Sequence, residues 1–119
     1  MSVVLLTGDL AVISRVAGAA ETANAPVYAA STAAQAVLHC HRERSQLLII
    51  DLSTPELDVK KLIETLTELK DYAPRVVAFG PHVHQEKLAA AREAGCDKVI
   101  SRGQFFSQLD AIVRRDTAR

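Results

Sequence analysis

The stretch that decides the fold is Leu47-Leu48-Ile49-Ile50-Asp51-Leu52-Ser53-Thr54-Pro55. Four branched apolar residues run into a single carboxylate, and a Ser-Thr-Pro breaker follows. A short apolar run bounded by a turn signal fits a strand buried on both faces, as in the middle of a parallel sheet. An acid at the end of such a strand stands where open α/β sheets place their ligands, outside the carboxyl ends of the strands. Asp51 is therefore the first candidate for chemistry, and the remaining sequence is read for the groups that would support it.

Working outward, Val3–Leu6 is a second buried run. Thr7-Gly8-Asp9 follows, with Asp9 placed to cap a helix. Leu10, Ile13, Val16, Ala17 and Ala20 then recur at helical spacing until Asn24-Ala25-Pro26. Val27–Ala29 reads as a strand. Thr32-Ala33-Ala34-Gln35 has capping-box form, and Ala34, Val37, Leu38 and His41 continue one helical face to about Arg44.

Beyond the opening stretch, Asp58 precedes an amphipathic helix with Val59, Leu62, Ile63, Leu66 and Leu69 on one face. Pro74 is expected to end it. Arg75–Phe79 is a strand stopped by Gly80-Pro81. Gln85–Ala94 is a helix with Leu88, Ala91 and Ala94 inward and Gly95 at its end. Lys98–Ser101 is the last strand, and Phe106, Leu109, Ile112 and Val113 mark the last helix.

Five strands alternating with five helices over residues 1–119 predict one domain with a parallel sheet covered on both faces. For five strands the common doubly wound order is 2-1-3-4-5, the flavodoxin-like arrangement. That order brings Thr7, Gly8 and Asp9 beside Asp51, with Gly80 and Arg102 on the same rim.

Composition narrows the function. Lys plus Arg equals Asp plus Glu at 14 each, so there is no basic excess of the kind a nucleic-acid binder uses to neutralise phosphates. No apolar run reaches the roughly 18 residues a membrane helix needs. The first residues read as a strand and not as a signal peptide, and Cys40 and Cys96 have no CxxC spacing. A cytoplasmic protein with reduced thiols is the expectation.

Other constellations are poor sites. His39 and His41 on one helix point about 200° apart and cannot share an ion. His82 and His84 stand in the loop after the fourth strand, with no second carboxylate or thiolate at ligand spacing. Cys96 follows a helix C-terminus, which disfavours a thiolate. No glycine-rich phosphate loop occurs.

At this point the pattern resembles the receiver domains of bacterial two-component response regulators, over nearly the whole chain. Leu48–Pro55 is similar to the family's phosphoacceptor strand, with an Asp followed by a Pro. Gly95-Cys96-Asp97-Lys98-Val99-Ile100-Ser101-Arg102 is similar to its approach to the fifth strand, usually a Gly-Ala-Asp phrase ending in Lys-Pro. The resemblance implies Asp51 at the phosphoacceptor position. It also implies an acidic pair where this chain has Thr7 and Gly8, a Ser or Thr where it has Gly80, and a Lys where it has Arg102. Gly103 stands in place of the proline.

These departures have chemical consequences. Attack of a carboxylate on a phosphoryl group brings two anions together, and the family uses Mg²⁺ to neutralise them. Thr7 and Gly8 supply no carboxylate, which leaves Asp9 and Asp51 as the only candidates for a metal and Mg²⁺ as a cofactor only of an active site. Arg102 is expected to meet a phosphate or to pair with Asp51, and Gly80 removes the hydroxyl that would sense a phosphoryl oxygen. The expectation is a non-enzymatic, receiver-like module with a degenerate phosphorylation site. It would act by protein contact with a histidine kinase, an output protein or a second copy of itself. The alternatives are a working receiver phosphorylated on Asp51 and a small-ligand domain of flavodoxin type.

Overall fold

The computed structural model describes residues 1–117, the side chains of residues 116 and 117 excepted. The elements alternate: β1 (Val3–Leu6), α1 (Leu10–Thr22), β2 (Val27–Ala30), α2 (Ala33–Glu43), β3 (Leu47–Asp51), α3 (Val59–Thr67), β4 (Arg75–Gly80), α4 (Gln85–Ala94), β5 (Lys98–Ser101) and α5 (Arg102–Thr117). The sheet is parallel throughout, in the order β2-β1-β3-β4-β5 expected from the sequence.

Alternation along each strand divides the core into two halves, because successive side chains leave opposite faces of a sheet. Val3, Leu5, Leu47, Ile49, Val77 and Phe79 pack against α1 and α5. Val4, Leu6, Leu48, Ile50, Val76 and Ala78 pack against α2, α3 and α4. All four of Leu47–Ile50 are wholly buried, each contributing about 1.5–3 kcal/mol of apolar transfer free energy. That is why β3 lacks polar alternation and sits at the centre.

The helix caps follow the sequence closely. Asp9, Thr32 and Asp58 each accept a backbone N–H of the first turn, and Gly95 takes the left-handed conformation that closes α4. Gln35 reaches back to the N–H of Ser31, one residue earlier than a capping box would place it.

Four helix readings are corrected. The buried face of α1 is Val12, Val16, Ala19 and Ala20, while Leu10 is 81% exposed and Ala17 faces solvent. In α2 the buried residues are Ala36 and Cys40, and Ala34, Leu38 and His41 face outward. Both helices are rich in alanine, which fits either side of a helix, so their apolar periodicity does not fix the phase. α3 ends at Thr67, well before Pro74; Leu69 lies beyond its end, and Asp71 turns the chain with φ 56°. In α5 the large buried ring is Phe105, stacked on Phe79 with centroids 4.1 Å apart, while Phe106 is only partly buried.

Asp97 has a structural task. Its Oδ2 accepts the N–H of Val76 at 2.7 Å, at the start of β4 where the β5 pairing has not yet begun. This explains the acid in Gly95-Cys96-Asp97 without reference to any ligand.

Candidate functional site

The register aligns the strand ends. Leu6 lies opposite both Ala30 and Ile50, Asp51 opposite Phe79, and Gly80 opposite Ser101. Thr7 therefore emerges next to Asp51, as the strand order requires. The Thr7 hydroxyl donates to Asp51 Oδ2 at 2.7 Å, and Thr7 Oγ1 accepts the N–H of Asp9 at 3.1 Å. The N–H of Ser53 donates to Asp51 Oδ1 at 2.9 Å. The carboxylate of Asp51 thus has an internal donor on each oxygen, and the residue is 3% exposed.

The loop that follows is tied to the same residue. The Thr54 hydroxyl and N–H both donate to the Asp51 carbonyl, at 2.7 and 3.0 Å, and Thr54 is buried. Leu52 donates its N–H to the Phe79 carbonyl and turns its side chain over Gly80. A Cβ built on Gly80 would stand 3.4 Å from Leu52 Cβ and 3.8 Å from Leu88 Cδ2. Apolar side chains line the place where the resemblance implies a hydroxyl. Gly8 is open, with nothing within 4 Å of a Cβ added there.

Arg102 does not pair with Asp51. It is the first residue of α5, and its guanidinium meets Asp9 Oδ2 at 3.2 Å. Asp9 Oδ1 accepts the N–H of Ala11 at 2.9 Å. That backbone bond, and after it the bond from Arg102, holds the Asp9 carboxyl below its ordinary pKa of 3.8. The bond from Ser53 makes Asp51 a cap of the turn that follows β3, and the ion pair expected between Arg102 and Asp51 is made with Asp9 instead.

An aromatic cluster that the sequence reading missed adjoins this pair. Phe106 packs edge-on to Phe105 at 5.3 Å and tilted to Phe79 at 6.2 Å. Its ring carries the Arg15 guanidinium at 4.1 Å and that of Arg102 at 5.1 Å. The signal in the sequence was the doublet Phe105-Phe106 three residues after Arg102; what it lacked was any sign that Arg15 lies opposite.

The other candidates are dispersed. His84 stands at the N-cap position of α4, its carbonyl accepting the N–H groups of Lys87 and Leu88, and the His82 carbonyl accepts from Gln85. His39 stacks on Tyr28 at 5.7 Å. Cys40 is buried and its thiol pKa is raised by burial; that of Cys96 is pushed up to about 11 by burial and by the charge of Asp97. Among the described residues no three His, Cys, Asp or Glu side chains form a group able to hold a metal.

The rim is a poorer donor set for a Mg²⁺ ion than one with an acidic pair at the end of β1. Mg²⁺ requires near-octahedral oxygen ligation and uses carboxylates free to turn toward it. Asp51 has both oxygens engaged by internal donors, and Asp9 has one on its helix and one on Arg102.

No protein-family model matches the chain, and no curated protein matches it. Solved structures do. The receiver domain of a sensor histidine kinase from Pseudomonas aeruginosa PAO1, described with magnesium in its active-site cleft, superposes with a TM-score of 0.82 at 15% identity, covering 99% of this chain and 98% of that one. A response regulator signal receiver domain from Bermanella marisrubri gives 0.81 at 20% identity, with 100% of each chain covered. A CheY-like protein, TadZ, from Pseudomonas aeruginosa PAO1 gives 0.74 at 22% identity, covering 97% of this chain and 98% of that one. The chain has the flavodoxin-like fold of response regulator receiver domains.

Proposed function

We propose that the chain is a receiver-like signalling module that works through protein contacts and in which Asp51 is not a phosphoacceptor. The observation that supports this reading is the state of Asp51: 3% exposed, with the Thr7 hydroxyl on one oxygen and the Ser53 N–H on the other. A nucleophilic carboxylate needs a free oxygen, and a cation to offset the charge of the incoming phosphoryl group. Thr7 supplies a hydrogen-bond donor where a second carboxylate would serve the cation. Gly80 and Leu52 supply apolar surface where a hydroxyl would report the phosphoryl group.

The partners that suit this reading are a histidine kinase, an output protein or a second copy, in the cytoplasm. A beryllofluoride-activated receiver domain of the same fold, that of NtrC4, has been solved as a dimer. No helix among the described residues is long and apolar enough to cross a membrane.

The rival is a working receiver phosphorylated on Asp51, favoured by the position of that residue at the end of β3 and by the magnesium held by a protein of like fold. Incubation with Mg²⁺ and a small phosphodonor, read by intact mass, separates the two. An unchanged mass is expected. A mass increase of one phosphoryl group that Asp51→Asn abolishes would establish the rival. A flavodoxin-type ligand domain is the third reading, for which a purified protein carrying a bound chromophore would be the evidence.

A further inference from the structure

We propose that the outer edge of β2, along Val27–Ala29, is where a second copy of this chain pairs, antiparallel and about a two-fold axis at Tyr28, so that the two sheets join into one. This deepens the protein-contact reading above and rests on it, by choosing the second copy as the partner and naming the surface.

β1 donates its Val3 N–H to the Pro26 carbonyl and its Thr7 N–H to the Ala30 carbonyl, at 2.9 Å each. The even residues of β2 therefore turn their backbone groups toward β1, and the odd ones turn N–H and C=O outward. At both ends the outward donors are taken from within. The Ala25 N–H donates to the Ala20 carbonyl at 2.8 Å, and the Ser31 N–H to Gln35 Oε1 at 3.0 Å. Val27 and Ala29 remain, and among the described residues neither N–H has a partner in the chain.

An open edge is a template for another strand, and proteins blunt such edges with charged side chains, proline or bulges. Lys98 stands on the opposite edge strand, β5. Val27–Ala30 carries neither a charge nor a proline. Ala29 is exposed, and a hollow of about 390 Å³ lined by Ala17, Glu21, Asn24, Pro26 and Val27 leaves the start of the edge uncovered by α1.

Self-complementarity selects a second copy as the occupant. In an antiparallel pair, facing residues alternate between those that exchange both backbone bonds and those that exchange none. With the axis at Tyr28, Val27 of each copy faces Ala29 of the other. Every outward N–H of the open stretch then meets an outward carbonyl, and the pairing stops where Ala20 and Gln35 already hold the next donors. The two Tyr28 residues form the non-bonded pair between, where side chains lie closest. Tyr28 leaves the sheet on the α2 face, stacked on His39 at 5.7 Å with the Glu43 carboxylate beside its hydroxyl. The axis therefore brings together two rings that α2 already holds. Glu21, Arg42 and Glu43 lie toward the amino end of β2, and Ser31 and Gln35 at its carboxyl end. The two-fold sets the acids of one copy against uncharged polar residues of the other.

Sedimentation velocity of the intact chain from about 1 μM to about 1 mM, with amide hydrogen exchange at both ends of that range, tests the pairing. The mean mass should rise from 12.9 kDa toward twice that value, and the Val27 and Ala29 amides should gain protection with concentration. Ala29→Pro removes an outward donor and leaves the bonds to β1 in place, as a proline on an edge strand does, and should weaken association about tenfold. Ala29→Lys keeps the backbone and adds the charge this edge lacks; it should weaken association as well, and it decides the matter if the proline variant fails to fold. Lys61→Gln on α3 should associate like the parent. The proposal is overturned if the chain stays monomeric throughout, if the added protection falls on α4, β5 and α5 instead, or if Ala29→Lys associates as tightly as the parent. The amides of Leu52 and Ser53 report the Asp51 site separately. A response there to beryllofluoride with Mg²⁺ would overturn the non-phosphoacceptor reading alone, and a chain that stays monomeric would overturn the paired edge alone.

Discussion

Two regions of one rim have opposite arrangements. At the end of β3, Asp51 is buried, and Thr7 and Ser53 satisfy both its oxygens from within. Near the ends of β1 and β5, Arg15 and Arg102 lie against a ring that the core holds still, with Arg102 bonded to the half-exposed Asp9 and Arg15 exposed. The first arrangement consumes the polarity of its residues in holding the loop; the second leaves polarity available to another molecule. The comparison teaches that the same strand end can be wired in different ways. On the function proposed above, an acid at that strand end serves as a hydrogen-bonded structural group because its neighbours are donors instead of carboxylates.

The largest effect expected from breaking this comparison is at its shared support. Phe105→Ala removes the ring stacked on Phe79 and the edge contact to Phe106, and should cost about 3–5 kcal/mol in urea unfolding. The Arg15 contact should loosen with it, which the line width of its Nε–H would report.

Next comes the buried acid. Asp51→Ala leaves the Thr7 hydroxyl and the Ser53 N–H without acceptors and should destabilise by about 1–3 kcal/mol. Asp51→Asn keeps the shape and an acceptor, and should cost less. Were Asp51 instead held as a strained, unpaired anion, both substitutions would raise the urea midpoint.

Smaller effects follow with pH. The Cys96 thiol is raised from 9.0 to about 11 in the fold, so the folded state keeps its proton where the unfolded chain loses it. Its contribution is full below pH 9 and is lost as the pH rises toward about 11. Urea midpoints of the parent and Cys96→Ser should converge over that interval, and alkylation of Cys96 by iodoacetamide at pH 8 should be slower than that of a free thiol. The smallest effect is at the exposed ion pair. Asp9 has a lowered pKa, so its contribution is present above pH 3.8 and disappears as the pH falls through the folded value. Arg102→Gln should lower the melting temperature only slightly at neutral pH, with the difference reduced by salt and absent in strong acid.

Much of this molecule was legible in its sequence, for physical reasons that vary by element. Leu47–Ile50 has no polar alternation because both faces of β3 are covered, and that fixed the centre of the sheet. Asp9, Thr32, Asp58 and Gly95 marked helix ends because caps are local chemistry, written in neighbouring residues. Alternation gave the parallel sheet, and the order common for five strands brought Thr7 to Asp51. The phases of α1 and α2 were not legible, since alanine marks no face. Nor was the destination of Arg102: its choice between Asp51 and Asp9 depends on where α5 begins, and one residue there swings a long side chain away. The Arg15–Phe106 contact joins residues 91 positions apart, and no local pattern announces it.

The most direct test of the central claim is a beryllofluoride titration in the presence of Mg²⁺, followed by the backbone amides of Asp51, Leu52 and Ser53. With the Asp51 carboxylate held by Thr7 and Ser53, the amides should stay where they are, and Mg²⁺ alone should move none of them. A saturable, Mg²⁺-dependent shift of these amides that Asp51→Asn abolishes would contradict the account.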